Sequence, residues 1–387
     1  MLSLRSLTYL LTSLSITSAA SLTTRETACN NSPDLCSKAY NEIVHLGAHD
    51  SPFVRDASTD YSTSGNQYYN TTVQLSAGVR LVSAQVHESN SEWHLCHSSC
   101  DLLDAGLLSD WLKEIKTWLD DNPNEVVTVL LVNSDDATVS ELAAQFTTAG
   151  IVDDCYVPAS TSTPPTTWPT LETIITGGKR LMTFVASLDT STITTDTSYL
   201  MDEFTFIFEN PYDNTNTSSF TCAPDRPTAV QNDVSAAIDS NRMALMNHFL
   251  YTVGAFDIET PDLTDINTTN SDSTSTAGAL GQSLASCKSD YGKVPTFTLV
   301  DFFDQGPAID AVDNMNGVTS PTGRTAVPTR DTDDESASTW SKTSFEGVET
   351  LAEDVKDGQT PKLGAWIWAA GSWTFGGINL SGGNVLS

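Results

Sequence analysis

Two of the six histidines in this 387-residue chain stand where proton transfer could be done. His49 precedes Asp50 just beyond the apolar run Ile43–Leu46, and His97 lies past the run Leu81–Val86. An imidazole titrates at about pH 6.5, so one ring can take a proton while a second gives one up. A carboxylate beside such a ring can orient it and favour its charged form. Other polar side chains close further apolar runs: Ser83, Gln85 and His87, then Asn133, Glu209-Asn210, Asn247-His248 and Asp301. His45 reads as core. His87 and His248 are strand-end positions with nothing further to recommend them.

Those positions need elements that bring them together. Short runs with the look of strands recur at Ile43–Leu46, Leu81–Val86, Val126–Val132, Leu181–Val185, Phe204–Phe208, Met243–Met246 and Phe297–Val300. Between the second and third, Trp111, Leu112, Ile115, Trp118 and Leu119 fall on one helical face, with Ser109 as the expected N-cap and Asn122-Pro123 as the stop. Strands apolar on both faces and alternating with helices point to a parallel sheet covered on both sides. Seven or eight such units predict an α/β fold of (β/α)8 barrel type, in which functional side chains gather where the strands end. Period two puts Leu81, Ser83, Gln85 and His87 on one strand face, and a polar patch inside a barrel is costly unless it lines a site.

The organisation expected is a signal peptide over 1–20, a barrel over 21–317, a Ser/Thr/Pro/Asp-rich linker over 318–343 and a C-terminal segment over 344–387. Arg5, the short run Leu7–Ile16 and Ser18-Ala19-Ala20 carry the signal-peptide reading. No other stretch is long and apolar enough to span a bilayer, so stable membrane insertion is not expected. With 49 acidic against 18 basic residues the formal net charge is −31, which argues against a nucleic-acid partner and against adhesion to anionic membranes. A secreted protein, or one held at a cell wall, is the expectation. Cys29–Cys36, Cys96–Cys100 and Cys222–Cys287 are plausible disulfides, leaving Cys155. Zinc at Cys96-His97-Ser98-Ser99-Cys100 is the weaker alternative, because no second Cys/His pair accompanies it. Five Asn-x-Ser/Thr sites begin at Asn30, Asn70, Asn216, Asn267 and Asn379.

Gly47-Ala48-His49-Asp50-Ser51 resembles the first-strand motif of the phosphatidylinositol-specific phospholipase C X-domain family, and Gly78-Val79-Arg80 resembles its second-strand entry. His97-Ser98 matches the position of the second histidine. Trp111–Val132, with Asn122-Pro123-Asn124-Glu125, resembles the family's helix-to-strand passage, and Val300-Asp301-Phe302 a late strand ending in Asp. Fungal secreted PLC-like phosphodiesterases share the passages His94-Leu95-Cys96-His97 and Asn124-Glu125-Val126-Val127-Thr128. The resemblance implies cleavage of a phosphodiester, such as an inositol phospholipid, by an internal hydroxyl. His49 would be the base oriented by Asp301, and His97 the acid assisted by Asp50. Arg80, Gln85, Asn133, Glu209 and Arg226 are the candidates for substrate binding.

The pattern departs from the family at the phosphate. Calcium-dependent relatives carry acidic residues where this chain has Ser83, Gln85 and Asn133, so neither calcium nor another cofactor is expected. The metal-free bacterial enzymes place an Arg at Gln85. Arg80 would serve only with its side chain turned inward, and it reads more readily as a structural ion-pair partner. Arg226 or Lys179 could substitute from other loops. The other reading is a catalytically silent barrel that binds a polar ligand. A glycerophosphodiesterase is disfavoured because the His-Arg-Gly and Glu-x-Asp motifs it would need are not found in place.

Overall fold

The computed structural model describes residues 28–254 and 259–330, together with the dipeptides 368–369 and 372–373. The expected signal peptide, most of the C-terminal segment, residues 331–343 of the expected linker and Asn379 lie outside the described residues.

Eight parallel strands form one curved sheet. In chain order the strands are β1 (His45–Ala48), β2 (Leu81–Ser89), β3 (Glu92–Cys96), β4 (Asp104–Leu107), β5 (Val127–Asn133), β6 (Leu181–Ala186), β7 (Met201–Asp202), β8 (Ile207–Glu209), β9 (Met243–Asn247), β10 (Tyr251–Val253), β11 (Glu259–Pro261) and β12 (Phe297–Val300). The order across the parallel sheet is β7-β6-β5-β2-β1-β12-β9-β8. It is a (β/α) barrel left unpaired between β7 and β8 among the described residues. β3 and β4 extend antiparallel from the far end of β2, and β10 and β11 form a separate ribbon.

Alternation along each strand divides the core in two. On β2, Leu81 joins an inner cluster with Leu130, Phe184, Leu245, Phe249, Phe297 and Leu299. Val82, Ala84 and Val86 face outward into the layer beneath the helices, where Trp111, Leu112, Ile115, Trp118 and Leu119 of the helix Leu108–Asp121 are buried. That helix starts directly after β4 with Leu107 at its N-cap, so Ser109 is not the cap; it lies inside the first turn and is buried. The indoles of Trp111 and Trp118 donate to Thr71 Oγ1 and Ser76 Oγ, at 2.7 and 2.9 Å, tying it to the helix Thr71–Ala77.

A second correction concerns Phe204–Phe208. Asp202 Oδ2 accepts from the Thr205 amide at 2.8 Å, and this cap turns 203–206 into one helical turn before the strand Ile207–Glu209 begins. The disulfides are Cys29–Cys36, Cys96–Cys100 and Cys222–Cys287, with Cys155 buried and unpaired. The first part of the 318–343 stretch packs on the barrel: Arg324 forms a bidentate pair with Asp313, and Tyr69 Oη donates to the Pro328 carbonyl.

Candidate active site

β1 ends at Ala48, and the His49 amide donates to the Val300 carbonyl at 2.9 Å, so His49 and Asp301 leave neighbouring parallel strands side by side. His49 Nδ1 lies 2.9 Å from Asp301 Oδ1. A carboxylate only accepts, so this contact assigns the proton to Nδ1 and leaves the Nε2 lone pair free to take another. Asn66 Nδ2 donates to the same Asp301 oxygen at 3.0 Å, and Gln67 Nε2 donates to the His49 and Val300 carbonyls at 2.8 and 3.1 Å. Both amides are fully buried. The other face of the imidazole stacks on Phe249, with centroids 3.8 Å apart and planes 7° from parallel. The ring is fixed at its Nδ1 edge and on one face.

Asp50 takes a left-handed backbone turn, φ 47°, and its amide donates to Ser83 Oγ at 2.9 Å. That turn brings Oδ2 between the two histidines, 3.8 Å from His49 Nε2 and 3.7 Å from His97 Nε2. His97 arrives from the other side, on the loop that the Cys96–Cys100 disulfide closes, with its amide donating to the Leu103 carbonyl. Its ring meets Phe53 edge-on.

The two imidazoles are tuned apart. For His49, burial pulls the pKa down, but the combined field of Asp50, Asp301 and Glu209 outweighs it and the net shift is upward. For His97, burial is again the largest influence and wins: Asp50 opposes it, while charge on His49 adds to the lowering. Burial also raises the Asp301 carboxyl above its ordinary range, against the pull of His49 and Asn66.

The remaining sequence candidates divide. Gln85 is in the site, its amide joining Asp50 to the His97 loop. Glu209 stands at the end of β8, buried, where its Oε2 accepts from Arg226 and, at 3.1 Å, from Asn247 Nδ2. Arg226 therefore reaches this end of the barrel, spread over Tyr212 with its charge matched by Glu209. Arg80 does not. It sits at the start of β2, pointing to the opposite end, where Nε donates to Glu125 Oε2 at 3.0 Å and the other nitrogens bond Asn31, Leu75 and Val79. Lys179, before β6, likewise faces away, on the Asp153 carbonyl. Asn133 is buried in a turn, its side chain bonded to both the amide and the carbonyl of Ala137.

His45 and His248 are wholly buried on backbone carbonyls, while His87 and His94 pair with Asp135 and Asp104. Cys96 and Cys100 are joined to each other, which removes both thiolates as zinc ligands. A calcium ion is not fitted by the residues present: Ser83 Oγ is taken by an amide, the Gln85 amide spans two partners, and Asn133 closes its own turn. Asn66, Gln67, Phe249 and Tyr251 were not legible as site residues. Tyr251 lies in the field of Asp50 and Asp301, which together with burial raises its phenol.

The chain is an α/β barrel with two histidines and their carboxylates at the C-terminal ends of its strands, an arrangement able to exchange protons at that rim. The family model described as PI-PLC X 1 matches residues 35–316. The chain belongs to the PI-PLC X family. It is 36% identical over 298 residues to PI-PLC X domain-containing protein 1 of Arthroderma benhamiae, covering 76% of this chain and 92% of that protein. It is 34% identical over 315 residues to an uncharacterized secreted protein of the same organism, covering 79% of this chain and 66% of the other. Among solved structures it is similar to phosphatidylinositol-specific phospholipase C from Listeria monocytogenes, with a TM-score of 0.47 and 15% identity over 73% of this chain and 95% of that one. Among the described residues no helix is long and apolar enough to cross a membrane.

Proposed function

We propose that the protein is a secreted phosphodiesterase that cleaves its substrate by attack of a neighbouring hydroxyl on phosphorus, using His49 and His97 as the acid–base pair. The observation that carries this reading is Asp50 Oδ2 standing 3.8 and 3.7 Å from the two Nε2 atoms while Asp301 holds the far nitrogen of His49. His49 Nε2 takes the hydroxyl proton, Asp301 stabilising the imidazolium that forms. His97 protonates the leaving oxygen, and the product is a cyclic phosphodiester. Asp50 orients both rings, and no metal enters the steps. In the free site the surrounding carboxylates make His49 the readier proton holder of the two. An arriving phosphodiester anion favours a charged His97. Inositol phospholipids are the substrates that membership of the family suggests.

A second reading rests on the guanidinium. Arg226 is matched by Glu209, and Arg80 and Lys179 face the opposite end, so the phosphate meets no uncommitted cation from these three. On that ground the barrel would bind a polar ligand without turning it over. The two readings separate in one experiment: the purified chain and its His49→Ala variant are given detergent-dispersed phosphatidylinositol in the presence of chelator. Cyclic inositol phosphate from the first and not the second supports the enzyme. No product from either folded protein supports the binder.

A further inference from the structure

We propose that Asn70 and Asn216 carry N-linked glycans, and that the face holding His49 and His97 does not dock stably on an anionic bilayer. The first half rests on the reading of the chain as secreted. Four Asn-x-Ser/Thr sites lie within the described residues, and the fold treats them differently. Asn30 is buried in the turn closed by Cys29–Cys36; its Oδ1 accepts from the Val126 amide at 2.7 Å, and its Nδ2 is enclosed without a partner. No sugar fits there.

Asn70 and Asn216 are exposed and share one geometry. Thr72 Oγ1 donates to Asn70 Oδ1 at 3.0 Å, and Ser218 Oγ donates to Asn216 Oδ1 at 2.9 Å. In each the hydroxyl two residues on occupies the amide oxygen and leaves Nδ2 to solvent. Asn267 is exposed as well, but Thr269 of its site is buried with its hydroxyl on the Asp265 carbonyl. The modification is a glycosyl transfer. Nδ2 attacks the anomeric carbon of a lipid-linked glycosyl pyrophosphate, the bond to the pyrophosphate oxygen breaks with its electron pair leaving on that oxygen, and Nδ2 gives up one proton.

Both asparagines lie in loops that follow strand C-terminal ends, Asn70 after β1 and Asn216 after β8, on the same face as the histidines. That face is already unsuited to anionic lipid. Its connections expose Asp60, Asp136, Asp189, Asp213, Asp265 and Asp272. In the segments 49–70, 90–107, 134–138, 187–200, 210–233, 248–254, 259–279 and 301–307, Arg55 and Arg226 are the only Lys or Arg residues, and Arg330 joins this face from the stretch after the barrel, over the Tyr68 ring. A negatively charged leaflet attracts clustered basic residues and repels this arrangement, and two bulky sugars on the rim would hold it off further.

The test uses the full chain secreted from a eukaryotic host. Peptide mass spectrometry is expected to find glycan on Asn70 and Asn216 and none on Asn30. T72A and S218A, which keep both asparagines and the Asn70 helix cap, should each remove one glycan mass. A bare Asn70 or Asn216, a glycan on Asn30, or either variant with an unchanged mass overturns the assignment. The same glycoprotein is then floated with phosphatidylinositol–phosphatidylcholine vesicles at physiological salt. It should remain in the soluble fraction, and co-flotation overturns the second half. Neither readout needs turnover, so a catalytically silent protein would leave both results interpretable.

Discussion

Gln85 Nε2 donates to Asp50 Oδ2 across 2.7 Å, and the other end of the same amide accepts from the Ser98 backbone at 2.8 Å. One neutral side chain thus holds both the carboxylate between the imidazoles and the loop that carries His97. A single hydrogen bond to a charged group contributes about 1.5–3 kcal/mol. Gln85→Ala should therefore cost stability on that order and lower turnover about 10-fold or more by loosening His97. Gln85→Arg keeps a donor toward Asp50 and adds a cation where charge develops on phosphorus, but gives up the acceptor that holds the Ser98 amide. Set against Gln85→Ala, which lacks the same acceptor, it should raise kcat on a phosphodiester by about 10–100-fold. A folded Gln85→Arg protein with a kcat no higher than that of Gln85→Ala would show that missing charge is not what limits this site.

Asp301 is predicted to matter through His49. Asp301→Asn removes the negative charge and lets an amide N–H compete for the Nδ1 edge, so the Nδ1 proton is no longer fixed; the analogous loss of a triad carboxylate costs about 10⁴-fold in kcat. A fall of about 10²–10⁴-fold is expected here, with little change in KM, because Asp301 does not face the substrate. The alkaline limb of the pH profile should also move down, since part of the field that raises His49 is gone. A variant that keeps wild-type kcat and the same alkaline limb would remove the dyad from the mechanism.

The pH dependence of kcat/KM follows from the two opposed shifts. Activity needs one neutral and one protonated ring, and either assignment of roles gives the same bell. His97 is lowered and His49 raised, so the bell should have its acid limb below about 6.5 and its alkaline limb above it. A profile with both limbs on one side of that value would contradict the geometry. An activated ester whose leaving oxygen needs no proton should rescue His97→Ala but not His49→Ala, which fixes who is acid and who is base.

Stability should respond to acid through two other histidines. Burial lowers His45 and His248 to about 4. Their folded values lie below the unfolded value of about 6.5, so the unfolded chain takes up protons first as pH falls. Each stabilising contribution is present above about pH 6.5 and is lost between there and about 4, on the order of 3 kcal/mol per residue. Glu203 works in the opposite sense. Burial, with the Glu209 charge adding to it, raises it well above its ordinary value, so falling pH favours the folded state through that group. The difference between wild type and His248→Gln isolates one term: the variant should lose less stability between pH 6.5 and 4.5 in denaturant titrations. Parallel curves would show that His248 is not held neutral.

The barrel was legible because its signal is periodic. Val127–Asn133 and Leu181–Ala186 are apolar on both faces, and the helix over Trp111–Leu119 repeats at helical spacing. His49, Asp50, His97 and Asp301 could be singled out because they terminate such runs. What escaped was anything held by shape alone. Asn66 and Gln67 sit in an irregular loop with no period, and only the packed structure puts their amides against Asp301 and the His49 carbonyl. Phe249 was indistinguishable from core until its ring lay flat on His49. The capping side chain of Asp202, rather than the apolar pattern of Phe204–Phe208, decides where β8 begins.

Arg80 gives the sharpest separation of scaffold from site. Its guanidinium is buried at the foot of the barrel, bonded to Glu125 Oε2, Asn31 Oδ1 and the carbonyls of Leu75 and Val79, with Trp118 5.3 Å away. Breaking such a pair strands the buried Glu125 carboxylate, and the usual cost is about 3–5 kcal/mol. Arg80→Met should lose that much in denaturant unfolding. Arg80→Met/Glu125→Leu should recover a large part of it, because no uncompensated charge remains. KM and kcat of whatever fraction is folded should stay within about twofold of wild type, since neither side chain reaches the end that carries His49. A selective rise in KM in the double variant, with stability restored, would place Arg80 back among the groups that bind the phosphate.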